Sequence, residues 1–241
     1  MTYAGQQTLL TSLAAGIALT ARARAWRIGA GLVVLLGLAA LIATLTRSAW
    51  IAVVVALALI LAVRRPRALL VLALAVALGV ALAPGAVRER LFSIVDPAHK
   101  WNQQRVLMWQ AGLAMFRDHP LTGVGLQDLH ALYERYRLPG ATEPAGHLHN
   151  TWIQIAATMG GVGLAAFAWL YASLARAAAA GLRAQLRAPG LAAGVRLGVL
   201  AGLTGFLAAG LFEWNFGDEE LLYLLYALVG LAWAARGWEE R

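Results

Sequence analysis

Long apolar blocks separated by short polar connections make up most of this chain, and one long polar stretch, residues 84–150, interrupts them. A membrane-spanning α-helix needs about 20 predominantly apolar residues. Judged against that length, the blocks predict about seven spans. They lie near residues 9–21, 28–45, 49–63, 68–83, 151–175, 197–212 and 221–235. We therefore predict an all-α, polytopic integral membrane protein.

The polar stretch has a helical pattern of its own. Residues 101–117 predict an amphipathic helix that ends before His119-Pro120. A tight loop follows at residues 121–125, and residues 126–136 predict a second short helix. The apolar stripe of the first helix is predicted to consist of Val106, Trp109, Leu113 and Phe116.

The arginines predict the orientation of the spans. They cluster in three connections, at residues 22–27, 64–67 and 176–196, which the predicted spans place on one side. Because basic connections face the cytoplasm, residues 84–150 are predicted to be periplasmic. We expect one domain with three parts: residues 1–83 with about four spans, the periplasmic segment 84–150 with amphipathic helices, and residues 151–241 with about three spans.

The composition agrees with a membrane protein, since 61% of the residues are hydrophobic and only 13% are charged. The net charge of +8 is explained by the arginines of the connections, so we predict no nucleic-acid partner. The chain has no cysteine, which excludes disulfides and thiolate metal sites. The predicted spans carry almost no ionisable residues, which argues against a transporter segment.

Three side chains are candidates for chemistry at the predicted periplasmic boundary. Arg47, in a short outer connection, either anchors a span end or holds a lipid phosphate bidentately, through two parallel N–H groups of its guanidinium. Arg105 is either solvated or a second cation of a diphosphate clamp. His149 stands with His147 and Asn150 at a span entrance, where a neutral imidazole can accept the proton of a sugar hydroxyl.

Other site chemistries are weakly supported. His147 and His149 offer two imidazoles, but no cysteine or carboxylate close in sequence completes a metal site, and Glu143 is the nearest acid. We expect the two histidines to face opposite sides of the segment, so that they need not share a role. The acidic residues of the periplasmic segment show no pairing typical of a glycosidase. Glu213, before the last span, is either a span-end residue or the partner of an outer arginine.

Several motifs in this order resemble the O-antigen ligase and polymerase family of bacterial membrane enzymes. They are Thr46-Arg47-Ser48-Ala49-Trp50, Arg105 to Trp109, Phe116 to Gly125, His147-Leu148-His149-Asn150-Thr151-Trp152 with Gly160 and Gly163, and Glu213-Trp214-Asn215-Phe216. The resemblance covers nearly all of this chain but only the C-terminal part of a family member. We therefore expect several N-terminal spans of the family to be missing.

The resemblance implies a metal-independent glycosyltransferase of the bacterial inner membrane with its active face in the periplasm. It makes Arg47 and Arg105 ligands of an undecaprenyl diphosphate-linked glycan and His149 the base that activates an acceptor hydroxyl, such as one of lipid A–core. His147, Asn150 and Glu213 are possible supporting residues. No metal, nucleotide or other cofactor is implied, and membrane lipids are the remaining partners. The alternatives are a glycan polymerase, a protein O-oligosaccharyltransferase, or an inactive truncated chain.

Overall fold

The computed structural model describes residues 2–125 and 128–238, and every regular element within these ranges is helical. The prediction of an all-α protein is therefore confirmed. The helices are α1 (Thr2–Thr20), α2 (Arg24–Ala43), α3 (Arg47–Arg64), α4 (Ala68–Leu82), α5 (Gly85–Val95), α6 (Lys100–Asp118), α7 (Leu129–Tyr136), α8 (Thr151–Ala179), α9 (Leu182–Gln185), α10 (Leu191–Ala209) and α11 (Glu219–Ala234). Short 3₁₀ turns follow at Asn215–Gly217 and Ala235–Gly237.

Five of the described helices are long and apolar enough to cross a membrane, which makes the chain a multi-pass membrane protein. They are α2, α3, α8 together with α9, α10, and α11 with the 3₁₀ turn that follows it. A sixth is reached if α4 and the helical stretch Gly85–Asp118, bent by 119°, count as one span. The predicted number of seven is not confirmed, because α4 has only 15 residues and α1 carries Gln6, Gln7 and Thr8.

The described chain divides into two compact units. The first contains α1–α4, α9–α11, most of α5 and the C-terminal end of α8. Within it, α1 packs against α10 through glycines: a Cβ on Gly16, Gly194 or Gly198 would lie within 3.0 Å of the opposing backbone. Small residues let helices approach closely where apolar burial alone gives no preference. Backbone approach to α10 therefore explains why α1 is buried although its sequence is only weakly apolar.

The second unit, Phe92–Ala172 with Gly210–Gly217, is built around α6. Its core contains Met108, Ala111 and Met115 of α6 together with Tyr133 and Leu148. The predicted extent of α6 is confirmed. Two residues of its predicted apolar stripe, Val106 and Leu113, are 44% and 40% exposed, so the stripe is not the face that packs within this unit. The buried face is the neighbouring one, because packing against α7 and the histidine segment selects it.

The loop at residues 120–125 is inserted into a break in α8. At Gly160 the backbone leaves the helix with φ 65° and ψ −164°, a region that side-chain-bearing residues avoid. The N–H groups of Gly161 and Val162 donate to Pro120 and Leu121, at 2.8 and 3.2 Å. The carbonyls of Ala157 and Thr158, which the break releases, accept from Val124 and Gly125, at 2.9 and 3.0 Å. All four backbone groups thus keep a partner.

The break turns α8 back on itself. The rings of Trp152 and Phe167 lie 5.1 Å apart, whereas the same residues in a straight helix would be separated by about 22 Å along the axis. The stretch predicted as one span at residues 151–175 therefore consists of two helical segments that meet at Gly160. This fold brings Trp152, at the start of α8, beside Phe167 in its second segment.

Candidate active site

Arg105 is held near the start of α6 by two anchoring amides. Asn102 donates to the carbonyls of Ser93 and Asp96, at 2.7 and 2.8 Å, which fixes the turn that enters α6. The buried Gln104 accepts from the N–H groups of Thr142 and Glu143, at 2.8 and 3.3 Å. Its own amide donates to the Gly140 carbonyl at 3.1 Å, so the loop that leads to the histidines is bound to α6.

The histidine segment is fixed by the residues on either side of His149. Leu148 is fully buried, and its N–H donates to Gln154 Oε1 at 2.8 Å. Asn150 caps α8 by accepting from the N–H groups of Trp152 and Ile153, both at 3.0 Å, and donates to the Leu211 carbonyl at 2.8 Å. A side-chain cap of this kind contributes about 1 kcal/mol to stability. The residues on either side of His149 therefore fix the position of the His149 side chain.

Thr151 joins this segment to the loop that contains Glu213. Its N–H donates to the Gly210 carbonyl at 2.7 Å. Its hydroxyl lies 2.9 Å from the Glu213 carbonyl oxygen and 2.8 Å from Asn215 Oδ1. Asn150 and Thr151 together thus fasten residues 210–215 beside His149, although the two stretches are far apart in sequence.

The backbone of His149 has φ 47°, which places it in the left-handed region. This conformation is uncommon for a residue with a side chain and typically persists where the surrounding contacts enforce it. The ring centroids of His147 and His149 are 4.1 Å apart, at an interplanar angle of 66°. The expectation that the two imidazoles face opposite sides is therefore wrong. Side chains two positions apart share a face even in an extended strand, and here the two rings are in contact.

Glu213 is the centre of the arrangement. Its Oε1 lies 3.0 Å from His149 Nδ1 and accepts from the Trp214 N–H at 3.2 Å, while its Oε2 lies 3.4 Å from a guanidinium nitrogen of Arg105. Burial by itself would raise the pKa of Glu213. The hydrogen bond and charge of His149, the charge of Arg105 and the Trp214 N–H outweigh burial and hold this pKa below its usual value. The carboxyl is consequently ionised and can only accept hydrogen bonds.

The tautomer of His149 follows from the charge of its neighbour. An ionised carboxylate has no proton to donate, so the proton of a neutral His149 ring belongs on Nδ1, which faces Glu213. The lone pair of Nε2 is then available to accept a proton. The side chain of His149 is 31% exposed, so solvent and substrate have access to the ring.

His147 is partly buried beside His149. Burial, followed by the charge of His149, lowers its pKa, so the ring is neutral at physiological pH. Its Nδ1 is buried and makes no hydrogen bond within residues 2–125 and 128–238. A buried polar atom without a partner typically costs about 1–3 kcal/mol.

His147, His149 and Glu213 also form a possible metal-ligand set. One nitrogen from each ring and one carboxylate oxygen lie within 4.8 Å of one another. The expectation that no carboxylate completes a set with the two histidines is wrong, because folding brings Glu213 from another part of the chain. Two imidazoles and one carboxylate are ligands that zinc accepts.

Arg47 belongs to the first unit, where it is the first residue of α3. The turn before it contains Leu45 with φ 52°, and the Trp50 indole N–H donates to the Leu41 carbonyl at 2.7 Å. These contacts bind the first turn of α3 to the end of α2 and explain much of the motif around Arg47. The pairing of Arg47 with Arg105 remains a prediction.

The sequence pattern indicated only part of the role of Glu213. Its interpretation as the partner of an outer arginine agrees with the contact to Arg105. The contact to His149 was not expected, because 64 positions separate the two residues. No local spacing indicates such a pair, and the only available signal was the motif that begins at Glu213. Asp218, later in the same connection, caps α11 by accepting from the Leu221 N–H at 3.2 Å.

Comparison with known protein families identifies the group of enzymes to which the chain is related. The family described as O-antigen ligase matches residues 32–168, which is more than half of the chain. The chain belongs to the O-antigen ligase family. The matched region contains Arg47, Arg105 and His149 and ends before Glu213. The comparison with curated proteins gives no match. Membership in the O-antigen ligase family indicates a membrane glycosyltransferase-like enzyme that acts on a lipid-linked glycan and an acceptor.

Proposed function

We propose that the chain transfers a glycan from undecaprenyl diphosphate to an acceptor hydroxyl, with lipid A–core as the acceptor, at the periplasmic face of the bacterial inner membrane. The single observation that carries the proposal is the pairing of His149 Nδ1 with Glu213 Oε1 at 3.0 Å. A buried carboxylate behind an imidazole keeps the outer nitrogen of the ring basic and stabilises the imidazolium once it forms.

In this proposal His149 acts as the general base. Its Nε2 accepts the proton of the acceptor hydroxyl while the hydroxyl oxygen bonds to the anomeric carbon. The bond from that carbon to the diphosphate oxygen breaks, and its electron pair stays with the diphosphate. The proton on His149 then passes to solvent. A single displacement without a protein nucleophile inverts the anomeric centre.

Two arginines bind the leaving group in the same proposal. A guanidinium has five N–H donors, so Arg105 can contact Glu213 and a phosphate oxygen together. Arg47 adds a second cation at the start of α3, where the helix dipole also favours an anion. Charge that develops on the departing diphosphate is stabilised by these groups, so the transfer needs no metal ion.

The test is glycan transfer in a bacterial strain that lacks its own O-antigen ligase. Expression of the chain should attach glycan to lipid A–core, seen as a ladder of modified lipopolysaccharide on a gel. His149→Ala should abolish the ladder, because the base is removed. His130→Ala replaces an exposed histidine of α7 and should leave the ladder unchanged. Transfer by His149→Ala at the wild-type level, with equal amounts in the membrane, would contradict the proposal.

A further inference from the structure

We propose that His147, His149 and Glu213 form a reversible binding site for Zn²⁺, and that an ion bound there blocks glycan transfer. The binding part stands on the geometry of the second unit alone. The blocking part rests on the proposed function of His149 as a base.

The three side chains have the right donors for a borderline transition-metal ion. Imidazole and carboxylate ligands suit Zn²⁺, whereas Mg²⁺ prefers oxygen ligands and releases its water reluctantly. With zinc–ligand distances of about 2.1 Å, tetrahedral ligand atoms lie about 3.4 Å apart. His149 Nδ1 and Glu213 Oε1 are already 3.0 Å apart. The remaining separations, all within 4.8 Å, need to close by at most about 1.5 Å.

The surroundings of the cluster support an ion that enters and leaves. The His147 ring has a buried nitrogen without a hydrogen bond in the described part of the chain, and coordination would give this ring a strong partner. The partly exposed side chain of His149 provides access from solvent, and water can fill a fourth coordination position. The positive charge of Arg105, 3.4 Å from Glu213, opposes a second cation. We therefore expect micromolar affinity instead of the tight binding of a structural zinc site.

Occupancy by the ion would remove the base by changing the tautomer of His149. In the neutral, metal-free ring, the N–H group at Nδ1 donates a hydrogen bond to Glu213, and Nε2 has a free lone pair. An ion inserted between His149 Nδ1 and Glu213 uses the Nδ1 lone pair. The single proton of the neutral imidazole must then be on Nε2, so this nitrogen no longer accepts a proton from the acceptor hydroxyl. Inhibition follows even if substrates still bind.

Binding is tested by calorimetric titration of the purified chain, prepared without a polyhistidine tag, with zinc chloride and with magnesium chloride. We expect one Zn²⁺ per chain and no heat from Mg²⁺. His147→Ala and Glu213→Gln should each weaken zinc binding by at least about tenfold. His147→Gln provides the same test should His147→Ala fail to fold, and His130→Ala is the matched control. Equal affinity in His147→Gln and His130→Ala would overturn the site.

Inhibition is tested by measuring transfer by the wild-type chain with added zinc. We expect transfer to fall in parallel with occupancy, to return on addition of EDTA, and to be unaffected by Mg²⁺. Full zinc occupancy with undiminished transfer would overturn the blocking role. Zinc binding is measured without substrate, so its failure contradicts the metal site alone. Wild-type transfer by His149→Ala would contradict the proposed function and, with it, the blocking role, but not the metal site.

Discussion

Glu213→Gln removes one negative charge from the centre of the site and preserves the size of the side chain. In the resting enzyme Glu213 accepts hydrogen bonds from His149 and from the Trp214 N–H, and it also contacts Arg105. During transfer His149 gains a proton, so its hydrogen bond to Glu213 changes from one with a neutral donor to one between opposite charges. Only the part of the interaction that strengthens in this step accelerates the reaction.

The magnitude follows from that difference. A hydrogen bond with one ionised partner contributes about 1.5–3 kcal/mol, and one between neutral groups about 0.5–1.5 kcal/mol. The wild-type bond already has an ionised acceptor and gains an ionised donor during transfer, and we take this gain to be of the same size as the gain from the first charge. Glutamine should therefore raise the barrier by about 1–2 kcal/mol, which lowers kcat by about 5- to 30-fold. A glutamine amide that turns its NH₂ toward His149 would also impose the wrong tautomer and increase the loss. The KM for the lipid-linked donor should change less, because the donor does not require the imidazolium.

The assay is transfer from a lipid-linked glycan to the acceptor lipid with purified variants in nanodiscs, with kcat and KM determined separately. Glu213→Asp keeps the charge and should retain more activity than Glu213→Gln, whereas a purely space-filling role predicts the reverse order. Glu134→Gln is the matched control, since Glu134 forms an exposed pair with Arg137 at 3.0 Å. Wild-type kcat in Glu213→Gln would refute the positioning role.

Three further predictions concern single substitutions. Gly160→Ala should destabilise the protein by about 1–3 kcal/mol, because φ 65° is unfavourable for alanine and the new Cβ would collide with the Leu121 backbone. Thermal unfolding measures this loss, with Gly146→Ala as the control, since a Cβ at Gly146 has open space. Asn150→Ala should cost about 1 kcal/mol by loss of the α8 cap, measured in the same way. Arg105→Lys should lower glycan transfer, because an ammonium does not replace the planar fork; unchanged transfer would contradict this.

The helical membrane character of the protein follows from its amino-acid sequence alone. Apolar blocks long enough for spans, and the end of α6 before His119-Pro120, depend on neighbours within a few residues. Local sequence specifies such features, because backbone hydrogen bonding and transfer into an apolar phase act within a single segment. Arg105 and His149 are likewise indicated by motifs of contiguous residues.

Features that join distant parts of the chain depend on the tertiary structure. The face of α6 that is buried, the break of α8 around residues 120–125, and the contact of Glu213 with His149 are all decided by which segments pack together. The left-handed backbone of His149 also belongs to the tertiary structure. A left-handed residue is unfavourable by itself and is maintained by contacts of Leu148, Asn150 and Thr151 with other segments, so it exists only in the folded chain.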